Sequence, residues 1–246
     1  MLSCIGCEWH LRSEEAMVDH AIVIDRYDRT EALFLTTGDV SALGQMNTSY
    51  PEQTRMLIEN LLQLGHVNDS DINSRFYQYF QDTTLQMLIA DVKAQYADLS
   101  ELDEQLSEAF ARLQHLLPKI ETPQVYAQIG SLDQSIVVGN GMLGISLDKY
   151  LGADYPLYQR YGYTEHQLRT MTREFIVPDC LGFYLLSLYP LATGHEPTQL
   201  EREHHMGAIQ YVVNKAMNRK VFQNEHVEWA ARQVAQAHLS IEQLLK

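Results

Sequence analysis

Cysteine is scarce in this chain, with three residues, Cys4, Cys7 and Cys180, among 246. That number and spacing exclude a disulfide framework. Glycine and proline are also few, at 13 and 7, while apolar residues make up 46%. This composition excludes disordered and collagen-like chains. No apolar run reaches the roughly 18–20 residues that cross a bilayer as a helix. Positive charge is short as well: 18 Lys and Arg stand against 32 Asp and Glu, for a net charge of −14. Such a surface repels phosphates and forgoes counterion release, so nucleic acid is not an expected partner. Repeats of 20–50 residues and low-complexity tracts are lacking too. What is left is an acidic, folded chain long enough to bury one large core.

Cys4-Ile5-Gly6-Cys7 is a CxxC pair, but no second CxxC or histidine pair completes a zinc site with it. The thioredoxin reading needs a strand before the motif and a helix after it, and the polar run from Glu8 to Glu15 offers neither. A small residue before a cysteine, Gly6 before Cys7 or Ser3 before Cys4, fits the end of a bacterial lipoprotein signal, in which the thiol becomes the lipid attachment point. The basic and apolar regions of such a signal do not precede it here. The expectation is a start codon placed late or a trimmed sequence. The alternative is a frayed N-terminus with two incidental thiols.

Along the chain, β-branched residues 21–27 read as a strand, and 31–36 as a second apolar stretch closed by Gly38. Ser49, Pro51 and Glu52 open a helix that carries Met56, Leu57, Leu61 and Leu64 and stops at Gly65. Leu85, Leu88, Ile89, Val92 and Tyr96 form one helical stripe. Leu102, Leu106, Ala109, Phe110, Leu113 and Leu117 form another, capped by Ser100 and ended by Pro118. Then the period changes. Val125, Ala127 and Ile129 alternate with polar neighbours, and 135–138 and 144–147 read as strands separated by glycines. Helices return at 164–171, 178–189, 198–217 and 224–238. The expected fold is α+β, mostly helical, with a small antiparallel or mixed sheet. No linker divides it, so 18–246 reads as one globular domain of two lobes, with 1–17 as its tether.

Motifs for chemistry are incomplete. Gly139-Asn140-Gly141-Met142-Leu143-Gly144 matches G-x-G-x-x-G, and Glu165 lies near the expected acidic position. A dinucleotide site needs a helix opening at these glycines, whereas Ile145 to Asp148 read as strand. The glycines are better explained as a hairpin turn needing positive φ, and no nucleotide is expected. His195, Glu201, His204 and His205 are weak metal candidates. Four residues after His195 stands Gln199 and four after His204 stands Ala208, so neither makes a zinc-protease pair. Acidic residues in a first helical turn have a plain role against the macrodipole. Gly144 to Asp148 lacks the second glycine of a nucleophile elbow, and Cys180, on an apolar helix, reads as a small buried hydrophobe. Tyr150, Tyr155, Tyr158, Tyr161 and Tyr163, with Asp148 beside them, suit a groove for a peptide, a glycan or a partner protein. The same side chains suit a loop folded onto its own domain, the reading we favour. No cofactor is expected.

Leu117-Pro118, Thr122-Pro123-Gln124-Val125, the segment Leu147-Asp148-Lys149-Tyr150-Leu151-Gly152, Tyr158 and Ile176-Val177-Pro178-Asp179 together resemble the gliding-motility-associated lipoprotein B family. The Leu-Asp-x-Tyr-Leu-Gly segment is the most specific part, and the resemblance covers most of 20–190. It implies a lipid-anchored, periplasm-facing envelope protein needed for gliding and associated with the type IX secretion machinery. It makes Cys7 or Cys4 the lipidated residue and envelope, motility or secretion proteins the partners. The arrangement is also distantly similar to zinc-metallopeptidase-like domains, with a small sheet before the helix that would carry HExxH. Neither Arg173 to Asp179 nor Glu203 to Ala208 carries those ligands, which implies a non-catalytic relative. A metal-dependent hydrolase drawing on His195 to His205, and a glycan- or peptide-binding envelope module, are the alternatives.

Overall fold

The computed structural model describes residues 21–192 and 194–246. Cys4, Cys7 and the tether expected over 1–17 lie outside the described residues.

The chain enters the fold extended. Ile22 and Ile24 are buried and Val23 is 69% exposed, the alternation of a strand. The strand expected there is nevertheless reduced to one parallel bridge, between Asp25 and Tyr126. The reason lies in its partners. Ile22 N donates to Ser107 Oγ (2.8 Å) and Ile24 N to Asp103 Oδ1 (2.9 Å), side chains of a helix, so no ladder forms. Only Asp25 N to Val125 O and Ala127 N to Asp25 O, both 2.9 Å, join it to the sheet.

The second apolar stretch expected at 31–36 is corrected as well. It belongs to helix α1 (Tyr27–Thr37), which ends at Gly38 in the left-handed region. Its buried side chains include Tyr27, Asp28, Glu31, Ala32 and Leu35, a helical face. Two of them are acidic, and that hid the period. Helix α2 (Val40–Ser49) follows, with Asp39 accepting from Ser41 N and Ala42 N. Next come α3 (Pro51–Arg55) and a π-helical turn, Met56–Leu61. Tyr50, not Ser49, stands at the N-cap and makes no side-chain cap bond. Helices α4 (Ile72–Tyr79), α5 (Thr83–Gln95) and α6 (Ser100–Leu116) complete the first half. The apolar stripes read on α5 and α6 are buried. Leu99, rather than Ser100, stands at the N-cap of α6 and makes no side-chain cap bond, while Asp98 before it accepts from Ser100 N (3.0 Å).

The sheet has three strands in the order β1-β3-β2: β1 (Gln124–Gln128), β2 (Ile136–Gly139) and β3 (Met142–Ser146). β2 and β3 are antiparallel, joined by Asn140 and Gly141 at φ 52° and 73°. Positive φ at both positions fits a turn of the type I′ kind, whose twist suits a hairpin. β1 lies parallel to β3, so the sheet is mixed. A 3₁₀ turn, Leu147–Tyr150, leaves β3 and leads to short α7 (Pro156–Arg160) and α8 (Glu165–Leu168). After the 3₁₀ turn Arg173–Phe175 come α9 (Ile176–Leu188), α10 (Gln199–Ala216), α11 (Glu225–Gln236) and α12 (Ile241–Leu245).

Helix α1 packs on β1, and α9 on β2 and β3. Helix α10 packs against α6, α9 and α11. Most buried apolar side chains form one continuous cluster through both halves. The chain is thus a predominantly helical α+β fold with a small mixed sheet. Among the described residues, no helix is long and apolar enough to cross a membrane.

Candidate functional site

The Leu-Asp-x-Tyr-Leu-Gly segment lies where the sheet meets α9, and Asp148 is its pivot. It is fully buried. Its Oδ1 accepts from Gly130 N and its Oδ2 from Leu132 N, both at 2.6 Å. These bonds hold a tight turn after β1 in which Ser131 and Leu132 adopt φ 55° and 64°. Glu31, from α1, reaches the same turn, its Oε2 accepting from Ile129 N (2.9 Å). Burial pushes the Glu31 carboxyl well above the usual carboxylate range. Glu31 Oε1, Tyr126 OH and Gln128 Oε1 are buried without a hydrogen-bond partner among the described residues. A protonated, neutral Glu31 is the form that tolerates this setting.

Beside the pivot opens a small cleft of about 140 Å³, lined by Ser135, Lys149, Tyr150, Tyr163, Gln167, Thr170, Met171 and Asp179. Lys149 Nζ donates to Tyr163 OH (2.8 Å) and to the carbonyls of Leu132 and Asp133 (3.3 Å each). All three of its protons are used, so it is not poised to act as a base or nucleophile. Tyr150 OH donates to Asp179 Oδ2 (2.8 Å). Burial raises the Asp179 carboxyl to about 7, and the Tyr150 bond opposes that rise. Chemically, the cleft can exchange one proton near neutrality. Tyr150 and Asp179 form a hydroxyl–carboxylate pair in its lining, and burial pushes the Tyr150 phenol well above its ordinary value.

A pH dependence follows from Asp179. Its folded pKa is raised, so the folded state binds the extra proton and stability declines as pH climbs from about 4 through 7. Asp179→Asn keeps an acceptor for Tyr150 and cannot ionise. Thermal melts from pH 4.5 to 8 are expected to show a wild-type decline, on the order of 3 kcal/mol of it from this group, and a visibly flatter profile in the variant. Equal slopes would contradict the assignment.

The tyrosines of the proposed groove are mostly tied inward. Tyr158 OH donates to Asp148 O (2.6 Å) and accepts from Leu151 N (2.8 Å). Tyr163 OH donates to Leu132 O (2.6 Å), and Tyr155 OH to Asp91 Oδ2 (2.7 Å). Tyr96, at the C-cap of α5, donates to the carbonyl of Tyr150. Only Tyr161 of the five is largely solvent-facing, at 56% exposure. The cluster therefore clasps residues 148–163 to the domain, and its rings meet edge to face, as Tyr158 does with Tyr155 and Tyr163.

The histidines diverge. His195 is exposed, with Nε2 3.5 Å from Glu201 Oε1. Glu201 belongs to the capping box of α10, its Oε2 accepting from Thr198 N (2.7 Å), and these bonds lower its pKa. His204 stacks flat on Trp229 at 3.9 Å. His205 Nε2 is buried without a partner among the described residues, and burial lowers its pKa. His226 Nε2 stands 3.6 Å from Glu203 Oε2. Among the described residues no group of His, Cys, Asp and Glu is arranged to hold a metal ion. Cys180 is buried in α9, where burial pushes its thiol up and away from reactivity.

Sequence reasoning did not give Asp179, Lys149 or Glu31 a role. A carboxylate inside the apolar run Ile176-Val177-Pro178-Asp179-Cys180-Leu181 was the available signal, because a buried acid needs a partner.

Among protein families, the sequence model of one, described as gliding motility protein GldB, matches residues 9–242. The match runs through α10 and α11 into α12, beyond the segments that carried the resemblance. No curated protein and no solved structure matches the chain.

Proposed function

Since the chain belongs to the gliding motility protein GldB family, a family of gliding-motility lipoproteins of the cell envelope, we propose that it is held at a membrane by an acylated Cys7 or Cys4. In this reading it faces the periplasm and acts there by protein contacts that support assembly of a motility or secretion apparatus. The family match over nearly the whole chain carries this reading. The site geometry supports it, because Asp148, Lys149 and the tyrosines spend their polar groups on holding loops. One acyl chain gives only marginal attachment, so a multiply acylated cysteine is the physically adequate anchor.

Metabolic labelling with a fatty-acid analogue, in the native host, tests the anchor. Label is expected in the wild-type protein and lost in the Cys4→Ala/Cys7→Ala variant. Unlabelled wild type, or label that survives both substitutions, removes it. Stoichiometric zinc in the purified protein, lost on His204→Ala, would replace the contact reading with a hydrolase.

A further inference from the structure

Between the end of α10, the turn at 218–224 and the start of α11 lies a cleft of about 450 Å³. Its apolar lining comes from Tyr211, Phe222, Val227 and Ala231, and its cations are Lys215, Arg219 and Lys220. The walls are built rather than loose. Asn214 Oδ1 accepts from Val221 N (2.8 Å) and Phe222 N (2.9 Å), and its Nδ2 donates to Phe222 O (2.8 Å). Asn224 caps α11 through His226 N and Val227 N. One side chain thus fixes the turn and another fixes the helix start, so the cleft is ready-formed.

Its charge runs against that of the chain. The net charge is −14, yet three of the 18 basic residues fall within six positions, 215–220. Among the described residues, Arg26, Arg55, Arg75, Arg112, Arg173, Arg202, Arg232 and Lys246 each pair with a carboxylate. Lys215, Arg219 and Lys220 form no such pair there, which is also true of Arg29, Lys93, Lys119, Lys149, Arg160 and Arg169, but these three line one cleft. Lys215 Nζ instead stands 5.4 Å from the centre of the Tyr211 ring, and Arg219 Nη2 donates to the Glu174 carbonyl (3.3 Å). The neighbouring cleft, which Arg219 also lines, holds Arg112 and Arg173, and those two are matched by Glu108 and Glu101. The one carboxylate lining the α10–α11 cleft, Glu228, is 3.9 Å from Arg232.

We propose that this cleft docks an acidic segment of a partner protein, whose large apolar side chain enters beside Phe222 and Val227 while flanking carboxylates meet Lys215, Arg219 and Lys220. The inference rests on the contact reading above and names the surface for it. Charge complementarity selects the sign of the partner. Concavity selects its shape, since a membrane surface is met by apolar side chains that protrude, and Phe222 is half-buried against Phe175.

The test uses the full chain and a fluorescein-labelled peptide of Asp and Glu flanking a central Phe. The probe is expected to bind saturably, and more weakly as salt rises. Affinity should fall roughly ten-fold in Lys215→Glu/Lys220→Glu and by less in Lys215→Gln/Lys220→Gln, with melting temperatures unchanged. The same peptide with Asn and Gln for its acids is expected not to bind. Equal binding of that neutral peptide, equal binding by the variants, no binding at all, or binding only to phosphatidylglycerol vesicles would each overturn the proposal. In cells, a benzophenone side chain at Gln223 should give adducts that the charge reversals abolish. Adducts from exposed Met87 or Tyr161 but none from Gln223 would remove this cleft and leave the contact reading standing. Adducts from none of the three would remove both.

Discussion

Asp148→Ala is expected to cost about 3–5 kcal/mol, a large share of the stability of any domain. The substitution leaves Gly130 N and Leu132 N buried without acceptors, and each such group carries a desolvation penalty of about 1–3 kcal/mol. The turn they belong to cannot easily move to find others. Ser131 and Leu132 are already in the left-handed region, and a Cβ on Gly130 would sit 2.6 Å from Ser146 Oγ. Asp148→Asn separates charge from geometry. Both carboxylate oxygens accept here, whereas an amide offers one oxygen and turns two donors toward the second N–H. It is therefore expected to lose about 2–3 kcal/mol even though it is neutral and nearly isosteric. Guanidinium denaturation followed by circular dichroism reads both. A loss below about 1 kcal/mol for the alanine variant would show that the turn finds other acceptors.

Gly207→Ala is the second large effect, and here two terms compete. Alanine in a helix interior gains about 1 kcal/mol over glycine. Against that, a Cβ at this position would lie 2.5 Å from the carbonyl carbon and oxygen of His226. Those atoms are backbone, at the start of α11, and cannot swing aside as a side-chain end does. Overpacking of this kind costs about 1–3 kcal/mol and more where backbone must shift, so the variant is expected to be destabilised by about 2 kcal/mol net. Thermal melts should show it, with α11 moved off α10. Gly182→Ala in α9 is the internal control. Nothing lies within 4 Å of its added Cβ, so it should gain up to about 1 kcal/mol. Stabilisation by both substitutions would mean that the α10–α11 contact is looser than described.

How much of this was legible in the sequence depends on the distance over which each signal acts. The Gly139 to Gly144 hairpin was readable because turn chemistry is local: Asn140 and Gly141 need the φ values they adopt. The limits of α10 were readable for the same reason, since Thr198 and Glu201 form a box within four residues. Helix α2 was missed because Val, Ser, Gly, Asn and Thr are poor helix formers, and the cap at Asp39 outweighs them only in context. Residues 21–27 alternate as a strand does, but whether a ladder forms depends on partners 79 and 85 residues away, which turned out to be helix side chains. At the candidate site, the tyrosines were visible as a cluster. Their acceptors were not, because Asp179 lies 29 residues from Tyr150 and Asp91 lies 64 from Tyr155. A helical period also hides a buried acid: Glu31 and Asp28 look solvent-facing until the turn after β1 and the Arg26 guanidinium (2.7 Å from Asp28) are in place.

The first described residues of the fold bear on mechanics. Ile22, Ile24 and Asp25 are gripped by five backbone hydrogen bonds, three to side chains of α6 and two to β1. Tension applied at Ala21 reaches these bonds first among those of the described residues. It spreads into the longest helix of the first half and into the sheet, with the two isoleucines buried alongside as a friction surface. Helix α6 also packs on α10, where Arg112 Nε donates to Ala216 O, so the load path continues toward the α10–α11 cleft. A pull strong enough to strain the grip therefore bears, through α6, on the helix that forms one wall of that cleft.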